Sequence, residues 1–482
     1  MTTSDRFRFA MGRPPAVAAE AMVSTSNPLA TRAGLRILER GGTAADAAIA
    51  AAAVLCVTEP MNTGLGGDAF ALVGAEGEVA GLDAAGPAPR EPEPGPVARR
   101  GPRSVTVPGA VGGWAALSAR FGRLGLDACL GDAIDLAERG TAVSARSAAL
   151  WAAEEPCPAG VGPSAPRVGE VVAMPELAGT LRRVAESGPS AIYAGPVARA
   201  IATASWLTEE DLAGYEARWI APLRAGYRGH EVIELPPPTQ GVVVLEALAL
   251  LDGLEPTLPN LIRCVQLALD DAAAHVRDRA DVAHLLDPAF VAARRTQTPR
   301  PVRSLDGGTS HLCVVDGQRM SVSFIQSLFG SFGSGVVAGE SGIVLHNRAA
   351  CFALAGAVVA GARPYHTLIP GLLKGPDGRL GAFGVVGGHL QAQAHVQLVS
   401  ALVDGGLDPQ AALDAARFRV EGSAVLLEEG LWPAAAELAE LGLDARPSTD
   451  WMRFGCGQAV IARGDALFGG SDPRMDGYAA GF

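Results

Sequence analysis

From Ala44 to Cys56 the chain carries apolar side chains on every side of a would-be helix. A helix with no polar stripe cannot lie on a surface, so it has to be covered all round, and that requires layers above and below it. The reading is a buried helix inside a sandwich, with Thr43 as its cap. The segment before it, Pro28–Glu39, has Leu29, Ala33 and Ile37 on one face and stops at Gly41-Gly42, as an amphipathic outer helix does. With 49% apolar residues in a chain of 482, a core large enough for one globule or two tightly packed halves is available.

Further along, Asn62–Asp68 is a glycine-rich turn feeding a strand at Ala69–Gly74. A dinucleotide-binding fingerprint needs the order strand, glycines, helix; here the glycines follow a helix and precede a strand, so that reading is set aside. Residues 110–155 and 176–204 read as helical, and Thr208 followed by three acids reads as a helix start. Tyr227–Leu235 is strand-like, Pro236–Gly241 a rigid turn, Val242–Leu251 an apolar helix and Asn260–Arg295 helical. A Pro/Arg/Thr-rich link, Thr296–Arg303, reads as mobile. After it, Thr309–Asp316 and Met320–Ser327 form a β-hairpin pattern. Strands at Gly342–His346, Leu380–Val386 and Ala459–Ala462, with helices at Gln391–Val403 and Pro409–Ala416, follow.

The formal charge of −12 argues against nucleic acid, whose phosphates call for clustered cations. Arg99, Arg100 and Arg103 sit among prolines and glycines and read as a solvated loop. The seven cysteines form no metal-type spacing and read as reduced thiols of a cytoplasmic protein. The N-terminal residues show no signal pattern, and the apolar run Ala47–Val57 is too short to span a membrane. The histidines have no metal-ligand spacing, so neither a metal nor an organic cofactor is expected. Self-association into a homo-oligomer is left open.

Chemistry is concentrated between Ser304 and Asp316, where Gly307 and Gly308 precede Thr309 at the start of a strand. Glycines tolerate the backbone torsions needed for Thr309 Oγ1 to attack the Gly308 carbonyl. Cleavage there would give Thr309 a free α-amine, whose ordinary pKa near 8 suits a general base beside the hydroxyl nucleophile. Taken alone, the triplet also reads as a plain turn into a strand. His311 shares the nucleophile's face by strand alternation and is a candidate for tuning the amine or a satisfied core residue; Ser310 points away. His366 and His389 are weaker candidates.

Several stretches appear in the same order as in a known family: Met22–Ala30, Gly41–Ala48, Thr63–Asp68, Ser104–Val111, Leu207–Leu212, Leu235–Gly241, Thr309–His311, Phe332–Gly335, Gly339–Ile343, Val386–Gly388 and Ser471–Arg474. Along nearly its whole length the chain resembles the γ-glutamyltranspeptidase family. The resemblance implies an α/β fold, a four-layer αββα sandwich of the N-terminal-nucleophile type, made as a proenzyme and split into a large piece, 1–308, and a small piece, 309–482, that stay together as one body. It further implies that Thr309 is the nucleophile, Gly308–Thr309 the cleaved bond, and Gly387 and Gly388 the pair whose amides stabilise the oxyanion.

The departures bear on the substrate. Ala85 stands where the transpeptidases carry an Arg for the glutamyl carboxylate. Cys351 replaces the acid that receives the α-amine, Arg363-Pro364 the paired serines, and Ile325 and Ser327 the Thr and Asn near the nucleophile. The segments Arg363–Pro370 and His389–Gln393 resemble the divergent branch that includes oxamate amidohydrolase. Arg348 is read as holding a substrate carboxylate or as a buried ion pair, with Ser327 and His311 beside it as substrate contacts; Arg90 is a candidate to replace the missing Arg, or a surface residue. The resulting expectation is a self-cleaving hydrolase of a small, carboxylate-bearing amide, acting through an acyl-Thr309 ester. A true γ-glutamyltransferase or glutathione hydrolase, a C–C-cleaving hydrolase and a non-catalytic scaffold stand as alternatives.

Overall fold

The computed structural model describes residues 13–153, 157–302, 304–354 and 357–482. Two seven-stranded antiparallel sheets lie face to face with helices over both outer faces, giving the expected αββα sandwich. In space the first sheet runs Tyr478–Gly481, Met22–Thr25, Gly308–Val315, Ser321–Phe329, Asp68–Ala75, Glu78–Ala84, Arg218–Ile220. The second runs Ala16–Ala18, Ala466–Ser471, Cys456–Arg463, Leu380–Val386, Gly371–Lys374, His230–Glu234, Leu223–Tyr227. Both sheets contain strands from before and after residue 308.

Strand alternation builds the layers. Leu312 and Val314 face the helix-side core with Ala47 and Ala51, whereas Cys313 and Val315 face the other sheet and pack with Phe70, Ile325, Leu372 and Val460. Ala44–Thr58 is a helix buried at every residue, as its uniform apolarity demands. Thr43 closes it with a reciprocal capping box to Asp46, and Asp316 at the end of the Gly308 strand accepts from Ala44 N at 2.8 Å, tying that strand to the helix start. The second outer layer contains Gly241–Leu251, Leu258–His275 and Leu390–Val403.

Several expectations need correction. Tyr227–Leu235 is not one strand but the turn and second arm of a hairpin, reversing at Arg228 and Gly229, both at positive φ. Gly342–His346 makes only single bridges, Val344 to Val337 and Leu345 to Gly66. The stretch from 110 breaks into three helices, Ala110–Phe121, Leu126–Arg139 and Ala145–Ala153, with glycines at its interruptions; 154 and 155 lie outside the described residues. The 176–204 stretch likewise divides at Gly188 and Gly195. The helix from 258 ends at His275, and 288–294 is a separate helix. The link after Thr296 is tethered, because Arg300 pairs with Asp270 at 2.8 Å and Val302 bridges Gly422; Arg303 lies outside the described residues, as does the N-terminal segment 1–12. Among the described residues no helix is long and apolar enough to cross a membrane.

Candidate active site

Thr309 sits where an inner strand of the first sheet begins, 4% exposed. Gly308 pairs with Phe329 and Ser310 with Gln326, so the partner strand carries one extra residue in between. Such a bulge re-aims side chains. Here it is accompanied by Phe329 at φ 71, a left-handed conformation rare outside glycine, and it brings Ser327 Oγ beneath the Gly308–Thr309 bond. Ser327 donates to Gly308 O at 2.5 Å and accepts from Phe329 N at 2.7 Å, and Thr309 Oγ1 donates to Ser327 Oγ at 3.3 Å.

The two glycines before Thr309 allow close packing around the bond. Neither has positive φ. What they provide is room, because a Cβ on Gly307 would stand 2.8 Å from Phe329 O and one on Gly308 2.7 Å from Asn62 Oδ1. Ser310 faces the helix layer, as alternation requires, and donates to Glu59 Oε2 at 2.7 Å; Ser26 holds the other carboxylate oxygen at 2.5 Å. Burial pushes the Glu59 carboxyl up from its ordinary pKa, against the pull of those hydroxyls.

Arg348 is fully buried. Its Nη2 lies 3.4 Å from Ser327 Oγ, its Nη1 3.8 Å from Cys351 Sγ and its Nε 3.8 Å from Asp68 Oδ2, and the guanidinium carbon stands 4.5 Å from the centre of the Phe329 ring. Asp68 ends the glycine-rich turn that the sequence places before a strand. It takes His366 Nε2 at 3.0 Å and Gly86 N at 2.9 Å, and His346 Nδ1 lies 3.0 Å away, off the hydrogen-bond line. Burial works against the Asp68 charge, but His346 and His366 outweigh it and hold the carboxyl well below the usual range. His366, by contrast, is lowered by burial and by Arg348. Asp68, His346 and Glu59 were missed as site residues. The turn positions them by close approach: a Cβ on Gly66 would stand 2.1 Å from Val344 O, and one on Gly67 2.4 Å from Ser327 O.

Gly387 and Gly388 have φ of 129° and 63° and form the turn between the Leu380–Val386 strand and the helix from Leu390. Leu305 lies directly on them. Its O accepts from His389 N at 3.0 Å, its N donates to His389 Nδ1 at 3.1 Å, and a Cβ on Gly388 would stand 2.1 Å from Leu305 O. Arg419, pairing with Asp306 and donating to Ser304 Oγ at 3.1 Å, pins the same segment. Gln240 Nε2 donates to Gly388 O at 3.1 Å and fixes the turn from behind.

His311 does face the space between the sheets, but its hydrogen bond goes to Ser323 at 2.9 Å, and its ring lies against Gly384 of the opposite sheet. Burial pulls its pKa down to about 3, so at neutral pH it is an uncharged inter-sheet contact. Ala85 is buried, whereas Arg90 is exposed beside Gly214 and does not replace the missing guanidinium. Arg363 pairs with Asp83 and donates to Glu216 O at 3.0 Å, which commits it to the scaffold. Among the described residues no cluster of three or more His, Cys, Asp or Glu has the arrangement of a metal site.

Residues 30–482 match the family model described as gamma-glutamyltranspeptidase. The chain is 33% identical to the oxamate amidohydrolase proenzyme of Klebsiella pneumoniae, over 97% of this chain and 99% of that one. It is 32% identical to a glutathione hydrolase-like proenzyme of Bacillus subtilis, over 95% and 98%. The crystal structure of a cephalosporin acylase from Bacillus halodurans superposes with a TM-score of 0.91 at 37% identity, covering 100% of this chain and 99% of that one.

Proposed function

Because this chain belongs to the γ-glutamyltranspeptidase family of amide hydrolases and acyl transferases, we propose that it is a precursor that cuts itself between Gly308 and Thr309 and then hydrolyses a small carboxylate-bearing amide. In this reading Thr309 Oγ1 attacks the substrate carbonyl while its freed α-amine takes the proton. The amides of Gly387 and Gly388 hold the oxyanion, and water releases the acyl group from Thr309. No step calls for a metal or an organic cofactor, since nucleophile and base reside in one residue. Seven unpaired cysteines suit a reducing, cytoplasmic setting.

One observation carries the substrate class: the fully buried Arg348 guanidinium, one hydroxyl away from Thr309, has polar contacts of 3.4 to 3.8 Å among the described residues. A planar fork of donors with such long contacts is suited to a carboxylate held close to the scissile carbonyl. Oxamate, the substrate that names the Klebsiella relative, has that shape. The γ-glutamyl reading is disfavoured by Ala85 and by the commitment of Arg363 to Asp83.

A denaturing gel of the purified protein tests the first half; pieces spanning 1–308 and 309–482 are expected, and a single band for Thr309→Ala. The second half is tested with a panel of amides. Hydrolysis of α-carboxy amides is expected, with little turnover of γ-glutamyl-p-nitroanilide, and strong stimulation of the latter by a dipeptide acceptor would reverse the assignment.

A further inference from the structure

A turn made of two glycines has no side chains of its own to hold it, and glycine is the softest residue of the backbone. The strand entering the Gly387–Gly388 turn, Leu380–Val386, pairs with Gly371–Lys374 only as far as Phe383, where the pairing on that edge stops. The N–H of Val385 lies beyond this point in a fully buried residue, where an unmade hydrogen bond is costly. It donates to His395 Nε2 at 3.0 Å. His395 belongs to the helix that leaves the turn, Leu390–Val403, so this bond staples exit to entry around the two glycines. On the other side of Gly371–Lys374, the strand His230–Glu234 is paired up to Ile233, and Glu234 is the residue just past that pairing. Its Oε1 lies 2.8 Å from His395 Nδ1, and both side chains are fully buried.

The partners dictate where the protons are. A backbone N–H can only donate, so Nε2 carries a lone pair, and the single proton of a neutral imidazole sits on Nδ1, pointing at Glu234. Burial pushes the imidazole down and the Glu234 carboxyl up from their ordinary ranges, and His311 and Arg417 push the ring further down. The ring is therefore neutral. A proton on Nε2, gained from solvent or by tautomer exchange, would set N–H against N–H and release Val385. We infer that His395, its tautomer fixed by Glu234, is a positioning residue for amide hydrolysis, holding Val385 and through it the Gly387 and Gly388 amides in the direction the oxyanion requires. The inference rests on the proposed oxyanion role of those glycines. His395 packs on Phe383 in the outer helix layer, ring centres 4.9 Å apart, whereas His311, on the face shared with Thr309, lies between the sheets. Its effect thus reaches the reacting atoms through the backbone of the turn, where donors fixed in advance are worth most.

The test measures cutting and turnover in the same full-length variants. His395→Leu removes the acceptor of Val385 N–H, whereas His395→Gln offers an amide oxygen to it. Glu234→Leu leaves the ring without its own acceptor, and Glu234→Gln restores one. Both Leu variants are expected to cut themselves as the wild type does, because Gly308 O bonds Ser327 and not the turn. Both should then hydrolyse the best amide of the panel with kcat lowered roughly 10- to 100-fold and KM little changed, short of the ~10²–10³-fold lost when an oxyanion donor is removed outright. The Gln variants should recover most of that loss. Nitrogen NMR of histidine-labelled wild type at neutral pH should show one ring, missing from His395→Gln, with a protonated Nδ1 and a bare Nε2. If His395→Leu does not fold, Glu234→Leu, which keeps the ring, carries the comparison. Wild-type kcat in a folded Leu variant, equal losses in the Leu and Gln variants, or a ring protonated on Nε2 would overturn the inference. Cutting lost together with turnover would assign the pair to the fold alone. Failure of the proposed function would look different: a wild-type chain that never cuts and turns over no amide.

Discussion

Arg348 bears the full desolvation cost of burial while its contacts stay long, so a substrate carboxylate is the strongest partner it can gain. Charge-assisted hydrogen bonds contribute about 1.5–3 kcal/mol. Arg348→Gln is therefore expected to raise KM for a carboxylate-bearing amide by roughly 10- to 100-fold. A neutral amide of the same shape should be little affected; equal losses for both would assign Arg348 to the scaffold. A second expectation concerns pH. Burial lowers the pKa values of His311, His366 and His395, that of His311 to about 3. Between about pH 3 and 6.5 the unfolded chain therefore binds protons that the folded His311 does not, so its contribution favours folding fully above that window and is lost as pH falls through it. The limiting slope is ~1.4 kcal/mol per pH unit for one such group. Urea midpoints measured across pH 4–7 should fall more steeply for the wild type than for His311→Gln, and parallel curves would contradict the burial argument.

At the scale of elements, the distance between the strand carrying Thr309 and the strand leading to Gly387 is set by a few contacts across the two sheets. His311 packs on Gly384, and Ser323 Oγ, which bonds His311, donates to Phe383 O at 2.9 Å and accepts from Gly371 N at 3.1 Å. A Cβ on Gly384 would stand 2.4 Å from His311 Nε2. Gly384→Ala should thus cost about 1–3 kcal/mol of stability by overpacking, and lower kcat more than KM as the strands spread. Calorimetry and steady-state kinetics check this; an unchanged melting temperature would show that the layers adjust freely. Much of this scale was legible in the sequence, since uniform apolarity specified the buried 44–58 helix, and Thr43 and Thr208 marked helix starts. Gly342–His346 misled because a short apolar run has no period to separate strand from loop. The bulge at Ser327 carries no Gly or Pro to mark it, and Asp68, His346 and His366 meet from positions remote in the chain.

For the whole molecule, the decisive feature is the strand order. In the first sheet Met22–Thr25 lies between Tyr478–Gly481 and Gly308–Val315, and in the second Ala16–Ala18 closes the edge beyond Ala466–Ser471. A cut before Thr309 therefore leaves two polypeptides threaded through each other's sheets, unable to separate without dismantling both cores. Folding has unimolecular kinetics only while the covalent link lasts. Once it is cut, each unfolding event releases two partners that must find each other again, so recovery becomes second order in protein. Diluting denatured wild type should lower its refolding yield, whereas uncut Thr309→Ala should regain structure at a rate independent of concentration. Activation would then come at the expense of renaturability, and in dilute solution the working lifetime of the processed enzyme would be set by its unfolding rate rather than by its equilibrium stability.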